Sequence, residues 1–133
     1  MSILLDTHVL LWWKGDVRRM SREARRRIGR ASDILVSPVS LWEIATLLRR
    51  GRIGLDRELG TWVNDLLAEG QVVVATLTPP AAILAGELPD DFPGDPADRL
   101  IYATALDIHV PLLSKDERLH RFAERDRGVR VIW

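Results

Sequence analysis

Five acidic residues stand where short apolar runs give way to amphipathic stretches. Asp6 follows Ile3-Leu4-Leu5, Asp116 comes soon after Val110–Leu113, Asp95 and Asp98 open the stretch that precedes that run, and Glu43 lies inside Val39–Leu48. Each aspartate alone has an ordinary use. Asp6 can N-cap a helix at Thr7, Asp95 can cap the next with Asp98 in its first turn, and Asp116 is likewise a first-turn acid favoured by the helix dipole. Glu43 resists that reading, because its helix is apolar on most of its circumference and a buried carboxylate is rare unless paired or on a metal. Taken together the acids pose a charge problem. Two like charges about 4 Å apart repel by roughly 4 kcal/mol at an effective dielectric of 20. A hard divalent cation such as Mg²⁺ or Mn²⁺, which prefers carboxylate and water ligands, relieves that repulsion. Such ions serve phosphoryl chemistry by activating water and steadying the leaving oxygen.

The elements that must bring these acids together can be read from the pattern. Ile3–Leu5, Ile34–Val36, Val72–Val74 and Val110–Leu113 read as buried strands, and Val129–Trp133 alternates like a fifth, edge strand. Between them run helices. One spans Thr7–Lys14 and is closed by Gly15; a basic one runs from an N-cap at Ser21 to about Ala31. Another starts with Ser37 as cap and Pro38 as first residue and is ended by Gly51; a fourth is expected from a cap at Asp56 to Gly70. Thr78-Pro79 and Asp95-Pro96 open two more, stopping before Pro89 and near Ile108. Ser114 and Glu117 have capping-box spacing for a last helix to about Glu124. Strands alternating with helices imply an α/β fold: a central parallel sheet of about five strands, helices on both faces, one domain over residues 1–133. Right-handed crossovers then place helix N-termini at the carboxyl edge of the sheet, where ligands bind in such folds. Acids from four segments should converge there, with Glu43 leaning back toward its helix N-terminus.

Composition narrows the chemistry. There is no cysteine, so thiolate metal sites, disulfides and cysteine nucleophiles are excluded. His8, His109 and His120 are never paired at helical spacing, which argues against a histidine zinc site. No apolar run approaches the length of a membrane span, and no basic region precedes the strand at Ile3 as in a secretory signal; a soluble cytoplasmic protein is expected. The formal charge is zero, against an all-over basic nucleic-acid binder. Yet only Lys14 and Lys115 among 19 basic residues are lysines, and seven arginines crowd between Arg18 and Arg30, with Arg49, Arg50 and Arg52 as a second group. Along the first group Arg22, Arg25, Arg26 and Arg30 recur at spacings of three and four, one helix side that phosphates or an acidic partner would fit, or a solvated face.

The stretches Leu4–Trp13, Ser37–Ile44, Asp95–Ile101 and Leu112–Glu117, in this order, resemble the PIN domain, and specifically the VapC ribonuclease toxins of prokaryotic type II toxin–antitoxin systems. The resemblance covers nearly the whole chain and implies a Mg²⁺- or Mn²⁺-dependent endoribonuclease. By similarity the metal-binding acids are Asp6, Glu43, Asp98 and Asp116, with Asp95 as a secondary acid and Thr7 and Ser114 as hydroxyls near the site. Asp116 falls on the family's most variable position. The resemblance further implies an RNA substrate, products with 5′-phosphate and 3′-hydroxyl ends, an inhibitory VapB-like antitoxin whose C-terminal segment wraps the toxin, and a homodimer or a hetero-oligomer with that antitoxin. Many relatives carry a histidine before the Asp-Pro pair, where this chain has Phe92-Pro93-Gly94.

Other readings differ in what they require. A phosphoacceptor receiver domain needs an aspartate after the third strand, and Val72–Leu77 has none. A catalytically inactive PIN-fold binding module would not need the full acid set. A DNA-cleaving relative is compatible with the same chemistry, which does not use the 2′-hydroxyl. His8 is expected to begin its helix and point away from Asp6, and Trp12, Trp13, Trp42 and Trp62 are expected in the core rather than as stacking platforms, an apolar stretch left exposed among them suiting a partner helix instead.

Overall fold

The computed structural model describes all 133 residues. Five parallel strands form one sheet: β1 (Ile3–Leu5), β2 (Ile34–Val36), β3 (Val72–Val74), β4 (Leu112–Leu113) and β5 (Val131–Ile132), in the spatial order β3-β2-β1-β4-β5. Leu4 stands opposite Leu35 on one side and Leu112 on the other. Seven helices connect them: α1 (Thr7–Lys14), α2 (Arg22–Arg30), α3 (Pro38–Arg49), α4 (Leu59–Ala68), α5 (Pro79–Glu87), α6 (Pro96–Ile108) and α7 (Glu117–Asp126). This order also separates the chain from the receiver reading, whose sheet runs 2-1-3-4-5.

The strands send alternate side chains to two cores. Ile3, Leu5, Ile34, Val36, Leu113 and Ile132 pack with Val9, Leu10, Ile28, Ile44 and Trp62, on the α1–α4 face. Leu4, Leu35 and Leu112 pack with Ile101, Tyr102, Leu119 and Phe122 of α6 and α7. The period of two therefore fills both layers from the three-residue strands β1 and β2, while the edge strand β3 buries only Val72. Helix α3 belongs to both, with Ile44 in the first core and Val39 in the second. It packs on α6, and this is what lets an acid of α3 meet an acid of α6.

Side-chain caps fix most helix starts. Ser21 Oγ accepts from the Ala24 amide, Ser37 Oγ from Val39 and Thr78 Oγ1 from Ala81. Helix α3 ends at Arg49, and Gly51 turns the chain with a φ of 68°, a left-handed conformation that glycine adopts without strain. Two starts differ from expectation. Helix α4 begins at Leu59 rather than after Asp56, whose carboxylate pairs with Arg57 at 2.9 Å and caps no helix. Helix α7 is capped by Asp116, whose Oδ1 accepts from the Arg118 amide at 2.9 Å, while the Ser114 hydroxyl is engaged elsewhere. Strand β4 is shorter than Val110–Leu113, since Pro111 has no amide to donate. No helix is long and apolar enough to cross a membrane.

Candidate active site

Helices α1, α3, α6 and α7 all begin at the carboxyl edge of the sheet, and each brings an acid there. Asp6 follows β1 and is buried. Its Oδ1 accepts from the Thr7 amide at 2.8 Å and its Oδ2 from the Ser114 hydroxyl at 2.7 Å. These donors cap α1 and tie the end of β1 to the end of β4. Thr7 is buried too, and its Oγ1 lies 2.5 Å from Glu43 Oε1 and 2.9 Å from Ser40 Oγ. Burial raises the Glu43 carboxyl above the ordinary range, the charges of Asp95 and Asp6 push the same way, and the Thr7 donor opposes them.

Asp95 and Asp98 form a reciprocal cap at the start of α6. Asp95 Oδ1 accepts from the Asp98 amide at 2.9 Å and Asp98 Oδ2 from the Asp95 amide at 3.1 Å. Burial pushes the Asp98 carboxyl up to about 7; the neighbouring Asp6 and Asp95 charges add to this against the Asp95 amide donor. Carboxylate oxygens of Glu43, Asp95 and Asp98 all lie within 4.8 Å of one another. Asp95, a secondary acid by sequence, thus stands inside the tightest group. Asp6 is close enough for its charge to act on both Glu43 and Asp98. Asp116 lies outside that group: its carboxylate caps α7 and lies 3.5 Å from the Arg118 guanidinium, while its amide donates to the Ser114 hydroxyl that holds Asp6.

Three residues near the acids have roles the sequence did not disclose. His8 does not point away from Asp6. Its Nδ1 is 3.6 Å from Asp6 Oδ2 and its Nε2 accepts from the Lys115 amide at 3.0 Å, pinning the β4–α7 loop. Burial lowers its pKa below the usual value, against the Asp6 and Asp116 charges that raise it. Gly94 packs against Asp98 so closely that a Cβ there would sit 2.6 Å from the Asp98 Cβ and 2.8 Å from its Oδ2. Its only sequence signal was its place just before Asp95-Pro96. Trp42 is 63 % exposed, while Trp62 is buried and Trp12 and Trp13 partly so.

The basic groups also sort by position. Arg26 and Arg27 pair with Glu23, and with Arg30 they border a depression beside Met1, Ile3 and Pro111, at the amino edge of the sheet, opposite the acids. Arg49 and Arg50 instead line a cleft of about 490 Å³ together with Glu43 and Asp95.

Every donor in the acidic group is an oxygen, the set that a hard cation prefers. The PIN domain model matches residues 3–125. The chain is 41% identical over 118 residues to Ribonuclease VapC22 of Mycobacterium tuberculosis, with 89% of each covered. Among solved structures, VapBC2 from Rickettsia felis bound to a promoter DNA fragment superimposes with a TM-score of 0.70 at 11% identity, covering 99% of this chain and 98% of that one. The sarcin-ricin loop cleaving toxin VapC20 of M. tuberculosis gives 0.64 at 20% identity, covering 90% and 94%. The chain therefore belongs to the PIN-domain family, and within it to the VapC ribonucleases.

Proposed function

We propose that this protein is a Mg²⁺- or Mn²⁺-dependent endoribonuclease and the toxin of a toxin–antitoxin pair. The observation that carries the reading is the meeting of Glu43, Asp95 and Asp98, with Asp6 beside them, at one edge of a PIN-domain sheet. Glu43, Asp98 and Asp6 would hold the cation, with Asp95 close by and Asp116 contributing from the β4 side. When bound, the ion supplies activation of water and neutralisation of charge on the phosphate. The chain's own residues prepare that position. Ser114 and the Thr7 amide fix the Asp6 carboxylate, and the Thr7 hydroxyl fixes Glu43. Asp98, raised to about 7, would hold the cation in its deprotonated form, so its burial and the neighbouring charges make that form costly until a cation compensates them. The three histidines do not form an acid–base pair for a route through the 2′-hydroxyl: His8 is engaged by Lys115 and Asp6, His120 Nε2 meets the Ser114 carbonyl at 2.7 Å, and His109 ends α6.

The relatives crystallised as VapBC complexes support an antitoxin as partner. The decisive experiment incubates the purified protein with total bacterial RNA in Mg²⁺ or Mn²⁺ and maps the new ends. Expected are cuts with 5′-phosphate and 3′-hydroxyl ends that EDTA abolishes and added Mg²⁺ restores. Cyclic-phosphate ends, or full activity in EDTA, overturn the mechanism. A chain that binds RNA and never cuts it is a binding module instead.

A further inference from the structure

Trp42 precedes Glu43 on α3 and stands 63 % exposed. It forms the wall between two clefts. One, of about 420 Å³, is apolar and lined by Pro38, Val39, Pro96, Ala97 and Leu100. The other, of about 490 Å³, carries Glu43, Arg49 and Arg50. Asp95 lines both, so each opens beside the acidic group.

We infer that Trp42 is the stacking platform for a nucleobase next to the scissile phosphate, with Arg49 and Arg50 holding phosphates beyond it. The inference deepens the ribonuclease reading and rests on it. A single RNA strand offers a flat apolar face and a charge with every nucleotide, and the clefts offer the complement side by side. Bases stack on aromatic rings irrespective of sequence, and the planar guanidinium matches phosphate. Arg49 and Arg50 are exposed and belong to no ion pair, unlike Arg26 and Arg27. Arg49 at the end of α3 and Arg50 just after it line the same cleft as Glu43. A partner helix would need a row of apolar anchors along its groove. Here the apolar cleft runs along one side of a single exposed ring and a cleft carrying Arg49 and Arg50 along the other, a pairing of flat apolar surface with positive charge that fits an RNA strand better than the apolar face of a helix.

The test uses a 12-nucleotide single-stranded RNA spanning a cut mapped on total bacterial RNA, and a set of the same RNA with one abasic residue at each position in turn. Trp42→Ala should raise KM about 5- to 100-fold with kcat little changed, and Trp42→Phe should keep most of the wild-type value. Wild type should lose a similar factor at one abasic position beside the cut, and Trp42→Ala should lose nothing further there. Replacing Arg49 and Arg50 with Gln should flatten the dependence of log kcat/KM on log salt by about 1.4, close to 0.7 per phosphate contact. If Trp42→Ala cuts intact and abasic RNAs as wild type does, the inference is overturned, and the exposed ring is left for a protein partner. If wild type cuts no RNA at all in Mg²⁺ or Mn²⁺, it is the ribonuclease reading that fails, and this inference fails with it.

Discussion

The Thr7 hydroxyl reaches from the first turn of α1 to Glu43 Oε1 on α3, 2.5 Å away and 36 residues on in sequence. A donor to the ionised form lowers a carboxyl pKa, so Thr7 offsets part of the rise that burial imposes on Glu43. Thr7→Val keeps the shape and removes the donor. The Glu43 pKa then rises further, and less of the carboxylate form is present at a given pH. The acid limb of the cleavage profile should move to higher pH, with activity at pH 6.5 falling several-fold more than at pH 8.5. Identical profiles for the two proteins would detach Thr7 from catalysis.

Asp98 sets a stability cost that pH controls. Its folded pKa of about 7 lies above its ordinary value of 3.8, so the fold binds its proton more tightly than the unfolded chain does. Below about pH 4 the group is protonated in both states and costs nothing; stability falls as pH rises through neutrality and the loss is complete above it. Asp98→Asn removes that charge and keeps an oxygen for the Asp95 amide. It forfeits a favourable helix-dipole interaction of typically 0.3–1 kcal/mol, smaller than relief from repulsion that reaches roughly 4 kcal/mol for one close pair before screening. In EDTA at pH 8 the variant should melt higher than wild type by about 4 °C, the shift for about 1 kcal/mol net. The gap should close near pH 4 and shrink in Mg²⁺, whose proposed binding to the folded form would stabilise wild type. Thermal melts at pH 8 and pH 4, each in EDTA and in Mg²⁺, decide it. A variant that melts lower in EDTA and an equal response of both proteins to Mg²⁺ would make Asp98 a helix cap only.

Ser114 donates to Asp6 Oδ2 at 2.7 Å while its own oxygen accepts from the Asp116 amide at 3.2 Å. It thus orients one acid and the turn that carries another. Ser114→Ala should lower cleavage about 10- to 100-fold, the usual cost of removing the partner of a metal-holding carboxylate, and raise the Mg²⁺ needed for half-maximal rate. A Mg²⁺ titration of the cleavage rate separates this from simple loss of fold.

The strands were legible because Ile3 and Leu5 alternate with Leu4 inside continuous apolar runs, and most helix starts because Ser21, Ser37 and Thr78 are strong caps. What failed depended on contacts between distant residues. Asp56 is a good cap in isolation, but its carboxylate pairs with Arg57 and caps no helix. Ser114 has the right spacing to Glu117, but Asp6, 108 residues away, holds its hydroxyl. A helix that is apolar nearly all round does not reveal which ring faces out, so the exposure of Trp42 could not be read from it. Acids at a parallel sheet's carboxyl edge could be expected from topology; that Asp95 stands nearer Glu43 and Asp98 than Asp116 does depended on the packing of α3 on α6.

His8 gives the β4–α7 loop its own pH dependence. Its Nε2 accepts from the Lys115 amide only when unprotonated, and burial holds its pKa below the ordinary 6.5. The unfolded chain therefore takes up this proton first as pH falls, and stability is lost from about pH 6.5 down through the folded value, with Asp6 and Asp116 moderating the loss. His8→Gln, which carries an acceptor but no titrating group, should flatten the decline in Tm between pH 6.5 and 5. An unchanged decline would assign it to other groups.

Gly94 gives a last test, one that reads position rather than charge. An added methyl there would meet the Asp98 side chain at 2.6–2.8 Å and Phe92 at 3.0 Å, closer than carbon atoms approach without displacement. Phe92 is locked in an aromatic cluster with Tyr102 and Phe122, so Asp98 is the side chain that must yield. The backbone at Gly94 does not have a positive φ, so alanine brings no conformational strain of its own. Gly94→Ala should therefore displace Asp98 from its present position beside Glu43 and Asp95. Displacing one member of a cation-holding set by a fraction of an ångström loosens the geometry on which reaction depends. The expected result is a fall in cleavage of about 10- to 100-fold with a raised Mg²⁺ requirement, together with a lower Tm, because a Cβ–Cβ approach of 2.6 Å forces the backbone to move and overpacking costs about 1–3 kcal/mol. Full activity at wild-type Mg²⁺ would show that Asp98 does not need this position.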